Sequence, residues 1–447
     1  MLSVAMGSQS GKIPMPSDPR HLLIVSDLHL SEGWGETTKR LSRQEDFYFD
    51  TSFARFLATQ VRNAAQHDYR LRLVIPGDLV DFLQVTTVPP GDRVDGEPIT
   101  DRDRRFGLGT SPAHTCWKLR RIVSGHWIFF DALARFVADG HDLVILPGNH
   151  DIEWVIPQVQ ATLISELTAR VPPALRGGIG ERVRFLPWFY LEPGLIYIDH
   201  GHQYDTLNSF DYFLHPYLPD GRIDLPAGSF FVRYLFNQVE VSFPFADNMK
   251  PASAFLCWAL KRWEGWRKLP QYLRFFRETL EKAGPLDPAW QAELEAKQAE
   301  RLRALQAETG LPADTLQALK ALWVPSAIHH LSKWRLALSF FRQASASEPL
   351  TAYADHISTL LRVRYVVFGH THEADLHPLP GGPPRAEYVN SGTWTRVFSE
   401  NFEERLLKEE SEFVYILVDR AKPKIELLRW RDDLGAGERV RLFRSQR

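Results

Sequence analysis

The stretch DLVILPGNHD, residues 142–151, decides how the rest of the chain reads. Leu143, Val144, Ile145 and Leu146 form an unbroken aliphatic run, the pattern of a strand buried on both faces. Pro147 and Gly148 stop the run, and Asn149, His150 and Asp151 follow, residue types that bind metal ions. The same figure recurs four times. LLIVS at 22–26 runs into Asp27-Leu28-His29, RLVIP at 72–76 into Gly77-Asp78, LIYID at 195–199 into His200-Gly201-His202, and RYVVF at 364–368 into Gly369-His370-Thr371-His372. In open α/β sheets, ligands bind in the crevice beyond the carboxyl ends of the strands, so five clusters far apart in sequence are expected to converge. One GD or GH alone marks a turn; independent turns do not repeatedly select His, Asp and Asn straight after buried strands.

Between the first three strands lie helix-like stretches at 47–66 and 116–140, so the chain reads as an α/β protein. EFVYILV at 412–418 and KIELLRW at 424–430 follow one another with no helix between them, which predicts a mixed sheet with an antiparallel part. The expected fold is a mixed β-sheet sandwich flanked by helices, interrupted by a helical insertion. Residues 1–20 read as a flexible tail, 21–205 and 351–432 as two parts of one catalytic domain, 206–350 as the insertion, and 433–447 as a basic C-terminal tail. The polar segment 85–112 reads as a long loop, with Arg102, Arg104 and Arg105 either reaching an anionic substrate group or forming a solvated charged face.

Composition narrows the chemistry. With 447 residues, 44% hydrophobic and 24% charged, the chain can bury a large core and does not have the balance of a disordered protein. Lys plus Arg number 53 against 55 Asp plus Glu, so no global basic field favours nucleic acid. The two cysteines, Cys116 and Cys257, have no neighbouring partner, which leaves His, Asp, Asn and Glu to hold any metal. The N-terminal stretch lacks the apolar core of a signal peptide, and no apolar run approaches the ~18 residues that span a bilayer. A cytoplasmic location is expected, with peripheral contact at a membrane surface.

DLH, GD, GNHD, GH and GHTH, in this order, resemble the five blocks of the calcineurin-like metallophosphoesterase superfamily, and VNSGTW at 389–394 is similar to the segment that often follows the last block. The resemblance covers 22–206 and 363–396 and implies an αββα fold. It also implies a site for two divalent ions: Asp27, His29, Asp78 and His372 on one, Asp78, Asn149, His200 and His370 on the other, with Asp78 bridging. Mn²⁺ is the expected metal, and Fe²⁺ or Zn²⁺ also suit these ligands. Such a pair lowers the pKa of a shared water and supplies hydroxide for attack on a phosphodiester, pyrophosphate or phosphomonoester. By the same resemblance His150 stabilises or protonates the leaving oxygen, with Asp151 orienting its ring. Asp81 reads as a carboxylate that fixes a ligand, and His202 as packing beside one. DLHLSEG, GDLVDFL and HGHQYD look closest to the UDP-diacylglucosamine hydrolases, which often carry Arg where this chain has His150 and whose insertion is shorter.

An insertion that leaves the sheet just after a metal ligand must start at the rim of the site, which favours a cap. Within it, residues 252–280 space Phe255, Trp258, Trp263, Trp266 and Phe276 among Lys261, Arg262, Arg267 and Lys268. That pattern fits an anionic membrane surface or a lipid-linked substrate, and equally a cap helix packed on the core or a contact in a homo-oligomer. A nucleotide-linked substrate is the other expectation. The competing reading is a catalytically silent scaffold that binds a partner through the insertion.

Overall fold

The computed structural model describes residues 20–35, 38–237, 286–330, 349–395 and 413–440. Four strands, β1 (His21–Ile24), β2 (Leu71–Pro76), β3 (Asp142–Leu146) and β4 (Val183–Phe185), run parallel, each paired with the next. A second sheet is built on β5 (Tyr190–Glu192), β6 (Ile196–Ile198), β7 (Tyr365–Phe368), β8 (Ala374–Pro378) and β9 (Glu387–Ser391), in the order β8-β9-β7-β6-β5. Within it β6, β7 and β9 are parallel and the two outer strands antiparallel. The antiparallel part expected near the end of the chain is β10 (Val414–Asp419), β11 (Lys424–Arg431) and β12 (Ala436–Arg439); β10 joins β1 and completes a seven-stranded sheet. Residues 436–439 are therefore an edge strand, and the expected tail from 433 is corrected to that extent.

The two sheets face each other. Side chains alternate along a strand, so Leu22 and Ile24, Val74, Val144 and Leu146 point one way and meet Ile196, Ile198, Tyr365 and Val367 of the second sheet in a fully buried layer. Leu23, Leu73, Leu143 and Ile145 point the other way, into a second core covered by helices. There α1 (Asp50–Gln66) buries Phe53, Phe56 and Leu57 on α3 (Trp127–Ala138) and the C-terminal strands: Phe53 stacks on Phe129 at 4.1 Å, and Phe56 meets Trp394 and Trp430. Each such ring contributes about 2–3 kcal/mol by leaving water.

The helix expected over 116–140 is two helices, α2 (Pro112–Gly125) and α3, broken at His126. The break has a packing cause. A Cβ on Gly125 would lie 1.9 Å from the Glu32 carbonyl oxygen, and the buried His126 ring is clamped between Glu45 at 3.0 Å and Asp50 at 3.1 Å. The segment 85–112 is also more than a loop. Arg93–Val94 pairs with Glu97–Pro98, Thr100 and Asp103 cap a short helix over Asp101–Phe106, and Val94, Ile99 and Leu108 bury one another.

In the interval 206–350 the described residues form helices at Ala227–Phe231, Pro288–Thr309, Ala313–Lys320 and Ala327–His330, with Leu350 opening a helix that runs to Leu361. The aromatic and basic segment 252–280, like residues 1–19, lies outside the described residues. No helix among the described residues is long and apolar enough to cross a membrane.

Candidate metal centre

All seven expected ligands meet at one end of the sandwich, beyond the carboxyl ends of β1, β2 and β3 of one sheet and β6 and β7 of the other. His29 Nε2 lies 3.1 Å from His372 Nε2 and 3.7 Å from Asp78 Oδ2, and His372 Nε2 lies 3.3 Å from Asp27 Oδ1. On the other side His200 Nε2 lies 3.1 Å from Asp78 Oδ2 and 3.2 Å from Asn149 Oδ1, with the His370 ring 5.3 Å from that of His200. One Asp78 oxygen faces both groups.

The local backbone is shaped for this convergence. Asp27, His29, Asp78, His370 and His372 all hold positive φ, between 49° and 69°, a conformation unfavourable for side chains of this size and concentrated at functional sites. Five of the ten non-glycine residues with positive φ among the described residues are thus expected ligands. Glycine provides the remaining space: a Cβ on Gly148 would lie 2.1 Å from Asp78 Oδ1, and one on Gly369 would lie 2.4 Å from Asp27 Oδ2. The segment 389–394 locks the first strand end in place, with Thr393 Oγ1 donating to the Asp27 carbonyl at 2.7 Å and Asn390 Nδ2 donating to the Gly369 carbonyl at 2.8 Å.

Contacts at the far side of three of the rings turn a particular nitrogen toward the centre. His200 Nδ1 sits 2.9 Å from the Pro76 carbonyl, which requires N–H there and turns Nε2 toward Asp78. His370 Nε2 sits 3.1 Å from Asp205 Oδ2, which leaves Nδ1. His29 Nδ1 faces Asp81 at 3.6 Å, which leaves Nε2. Nitrogens turned toward buried carboxylates suit divalent cations. Asp27, His29 and His372 bring one ligand atom each within 4.8 Å of one another, as do Asp27, Asp78 and His200, so each of these two groupings fits an ion.

Electrostatics point the same way. Burial alone would raise the Asp27 carboxyl, but His372 brings it down to about 2. Burial opposes Asp78 too, and His200, His150 and His29 hold it well below the carboxylate range. The partner moves oppositely: against burial, Asp78 lifts His200 to about 9. Packed histidines and ionised carboxylates are thus mutually stabilised, a charge balance that cations can take over.

Asp151, expected to orient the His150 ring, is bonded to backbone and to Trp154. It is fully buried and accepts from the backbone N–H of Gly148 at 2.7 Å, Leu79 at 2.8 Å and Asp78 at 3.1 Å, and from Trp154 Nε1 at 2.8 Å, tying two strand ends together. Burial and the Asp78 charge push its carboxyl up to about 7, while these donors pull it down. The His150 ring is held by Asp81, Oδ2 to Nδ1 at 2.5 Å. Asp81 in turn is fixed by the N–H groups of Leu83 and Gln84, at 2.8 and 3.0 Å, and against burial the two histidines lower its carboxyl. His150 and its neighbour in sequence diverge because a chain leaving a turn sends successive side chains in different directions.

Other candidates resolve as structure. His202 is fully buried against Phe210 and Phe213, and burial together with His200 and His370 holds it well below the usual histidine range. Arg102 lies over the Tyr234 ring and Arg104 pairs with Asp92 at 2.7 Å, so neither reaches toward the centre. His329 pairs with Asp224 and His330 with Asp211. Sequence reasoning missed Asp205, Asn208 and Asp199. Asp199 accepts from Trp188 Nε1, Tyr197 OH and Tyr204 OH at 3.1–3.2 Å and from Gly201 N at 3.3 Å, bracing the turn that carries His200. Asp205, the last residue of HGHQYD, offered a signal in its spacing from His200; Asn208 offered none.

No protein-family profile matches the chain, and no curated protein matches it.

Proposed function

We propose that the chain is a dinuclear metal-dependent phosphoesterase with a metallophosphoesterase-like αββα core, acting on a phosphodiester, pyrophosphate or phosphomonoester. The observation that carries this reading is the convergence of Asp27, His29, Asp78, Asn149, His200, His370 and His372 from five strand ends, with His29 Nε2 and His200 Nε2 turned to the same Asp78 oxygen. Two divalent ions bound there supply positive charge that clamps a phosphoryl group and a water of lowered pKa.

The chain's own residues supply the rest. Asp27 and Asp78 are buried and their carboxyls lie below the usual carboxylate range, which favours the negative charge that cations would meet. His150 is the proton donor to the leaving oxygen. Its Nδ1 is fixed on Asp81, which sets the orientation of the ring. Asp151 holds the two loops that carry Asp78 and Asn149 in register. Mn²⁺ is the metal proposed first, with Fe²⁺ or Zn²⁺ compatible with the same ligands.

The test is to strip the protein with chelator, restore Mn²⁺ and assay bis-aryl and mono-aryl phosphate esters. Metal-dependent turnover of either is expected, and the preferred ester distinguishes diesterase from monoesterase. Failure to hydrolyse any phosphate ester with metal restored overturns the reading.

A further inference from the structure

The turn that opens the insertion touches two expected ligands of the same ion. Asp205 Oδ2 lies 3.1 Å from His370 Nε2 and accepts from Asn208 Nδ2 at 2.7 Å, while Asn208 Oδ1 accepts from Asn149 Nδ2 at 3.4 Å. A continuous chain of polar contacts therefore runs His370, Asp205, Asn208, Asn149. Its chemistry is directional. An acceptor on His370 Nε2 fixes the tautomer with Nδ1 unprotonated, and an acceptor on Asn149 Nδ2 turns that amide so that Oδ1 faces His200. Both ends of this chain are expected ligands of the same ion, His370 and Asn149.

The turn is also wired to the helices beyond it. Gly228 N donates to the Leu207 carbonyl at 2.7 Å, Ala327 N to the Thr206 carbonyl at 2.8 Å and Val324 N to the Gln203 carbonyl at 3.0 Å. Ser229 Oγ adds a direct bond to the Asn149 carbonyl at 2.9 Å. The helix carrying Gly228 presses so close that a Cβ there would lie 2.1 Å from Asn208 Oδ1. Moving these helices moves the turn, and moving the turn releases the orientation of His370 and Asn149.

We infer that the insertion controls the occupancy of one ion of the pair: Asp205 and Asn208 are positioning residues for the ion held by Asp78, Asn149, His200 and His370, and the ion held by Asp27, His29, Asp78 and His372 binds independently of them. The inference rests on the dinuclear reading above. It makes the second ion the point where the insertion, and whatever the insertion binds, communicates with the centre.

The experiment is Mn²⁺ titration of the metal-free full chain by calorimetry, with metal per chain measured by mass spectrometry, on the wild type, Asn208→Ala and Gly228→Ala. Gly228→Ala removes no polar group and acts by pressing on the Asn208 side chain and, at 3.3 Å, on the Leu207 carbonyl of the same turn, so it separates displacement of the turn from loss of a side chain. The expected result is two ions in the wild type and, in both variants, one ion weakened by roughly 10–100-fold with the other within about twofold of wild type. Wild-type affinity for both ions in both variants overturns the inference, as does equal weakening of both ions. A wild type that binds no Mn²⁺ instead overturns the dinuclear reading, so the two failures are distinguishable.

Discussion

Gly148→Ala tests whether the tight turn after β3 exists to bring backbone against Asp78. The added Cβ would lie 2.1 Å from Asp78 Oδ1, 2.7 Å from Asp78 N and 2.8 Å from Asp78 Cγ, where real Cβ atoms essentially never come closer than 3.0 Å. Something must retreat by about 1 Å, and neither side is free to do so without cost. The carboxylate is held by His150 N on Oδ1 at 2.9 Å, and the Gly148 N–H is tied to Asp151 at 2.7 Å. A displacement of about 1 Å in a group shared by both ion positions is expected to lower kcat/KM roughly 10²-fold. Overpacking of this kind costs about 1–3 kcal/mol of stability, which leaves the chain folded. The assay is Mn²⁺-dependent hydrolysis of a bis-aryl phosphate together with metal content, against Gly177→Ala as control, since a Cβ at Gly177 meets nothing within 4 Å. Wild-type turnover and metal content in Gly148→Ala would refute the reasoning.

Three further outcomes follow from other sites. Asp81→Asn is expected to lower kcat roughly 10²–10³-fold, because it loosens the His150 ring and Asp81 also faces His29; wild-type kcat in Asp81→Asn would show that the contact does not matter. Against burial, Glu45 and Asp50 lift His126 to about 10 from an ordinary 6.5, so the stability it contributes is full below about pH 6.5 and is lost as pH rises through about 10. The span corresponds to at most roughly 5 kcal/mol, read as a thermal midpoint that falls across this window in the wild type and stays flatter in His126→Gln; parallel curves would count against it. Asp199→Ala removes the acceptor shared by Trp188, Tyr197 and Tyr204, which is expected to cost about 3–5 kcal/mol in urea unfolding, and an unchanged midpoint would show that the brace is idle.

The parts of this protein written in local sequence were legible there. Strands such as 142–146 announce themselves because burial on both faces demands an unbroken aliphatic run, and the clusters after them are visible because a ligand must follow the strand immediately. What depended on contact across sequence was not legible. Nothing in the sequence pattern of 116–140 shows that Glu32 must approach Gly125 and split the helix, and adjacency made Asp151 look like the partner of His150 when Asp81, 69 residues earlier, holds the ring. The polarity of 85–112 hid a small apolar cluster of Val94, Ile99 and Leu108, packed against Val88 and Trp117. Asn208 carries no motif at all; its part emerges only when Asn149 is placed beside it.

The central claim is that these seven side chains hold a pair of divalent ions about Asp78. Anomalous diffraction from crystals grown with Mn²⁺ tests it most directly. Two peaks roughly 3.5–4 Å apart, one on each side of the Asp78 carboxylate, are expected. Well-ordered density for all seven side chains with no anomalous peak beside Asp78 at millimolar Mn²⁺ would contradict the account.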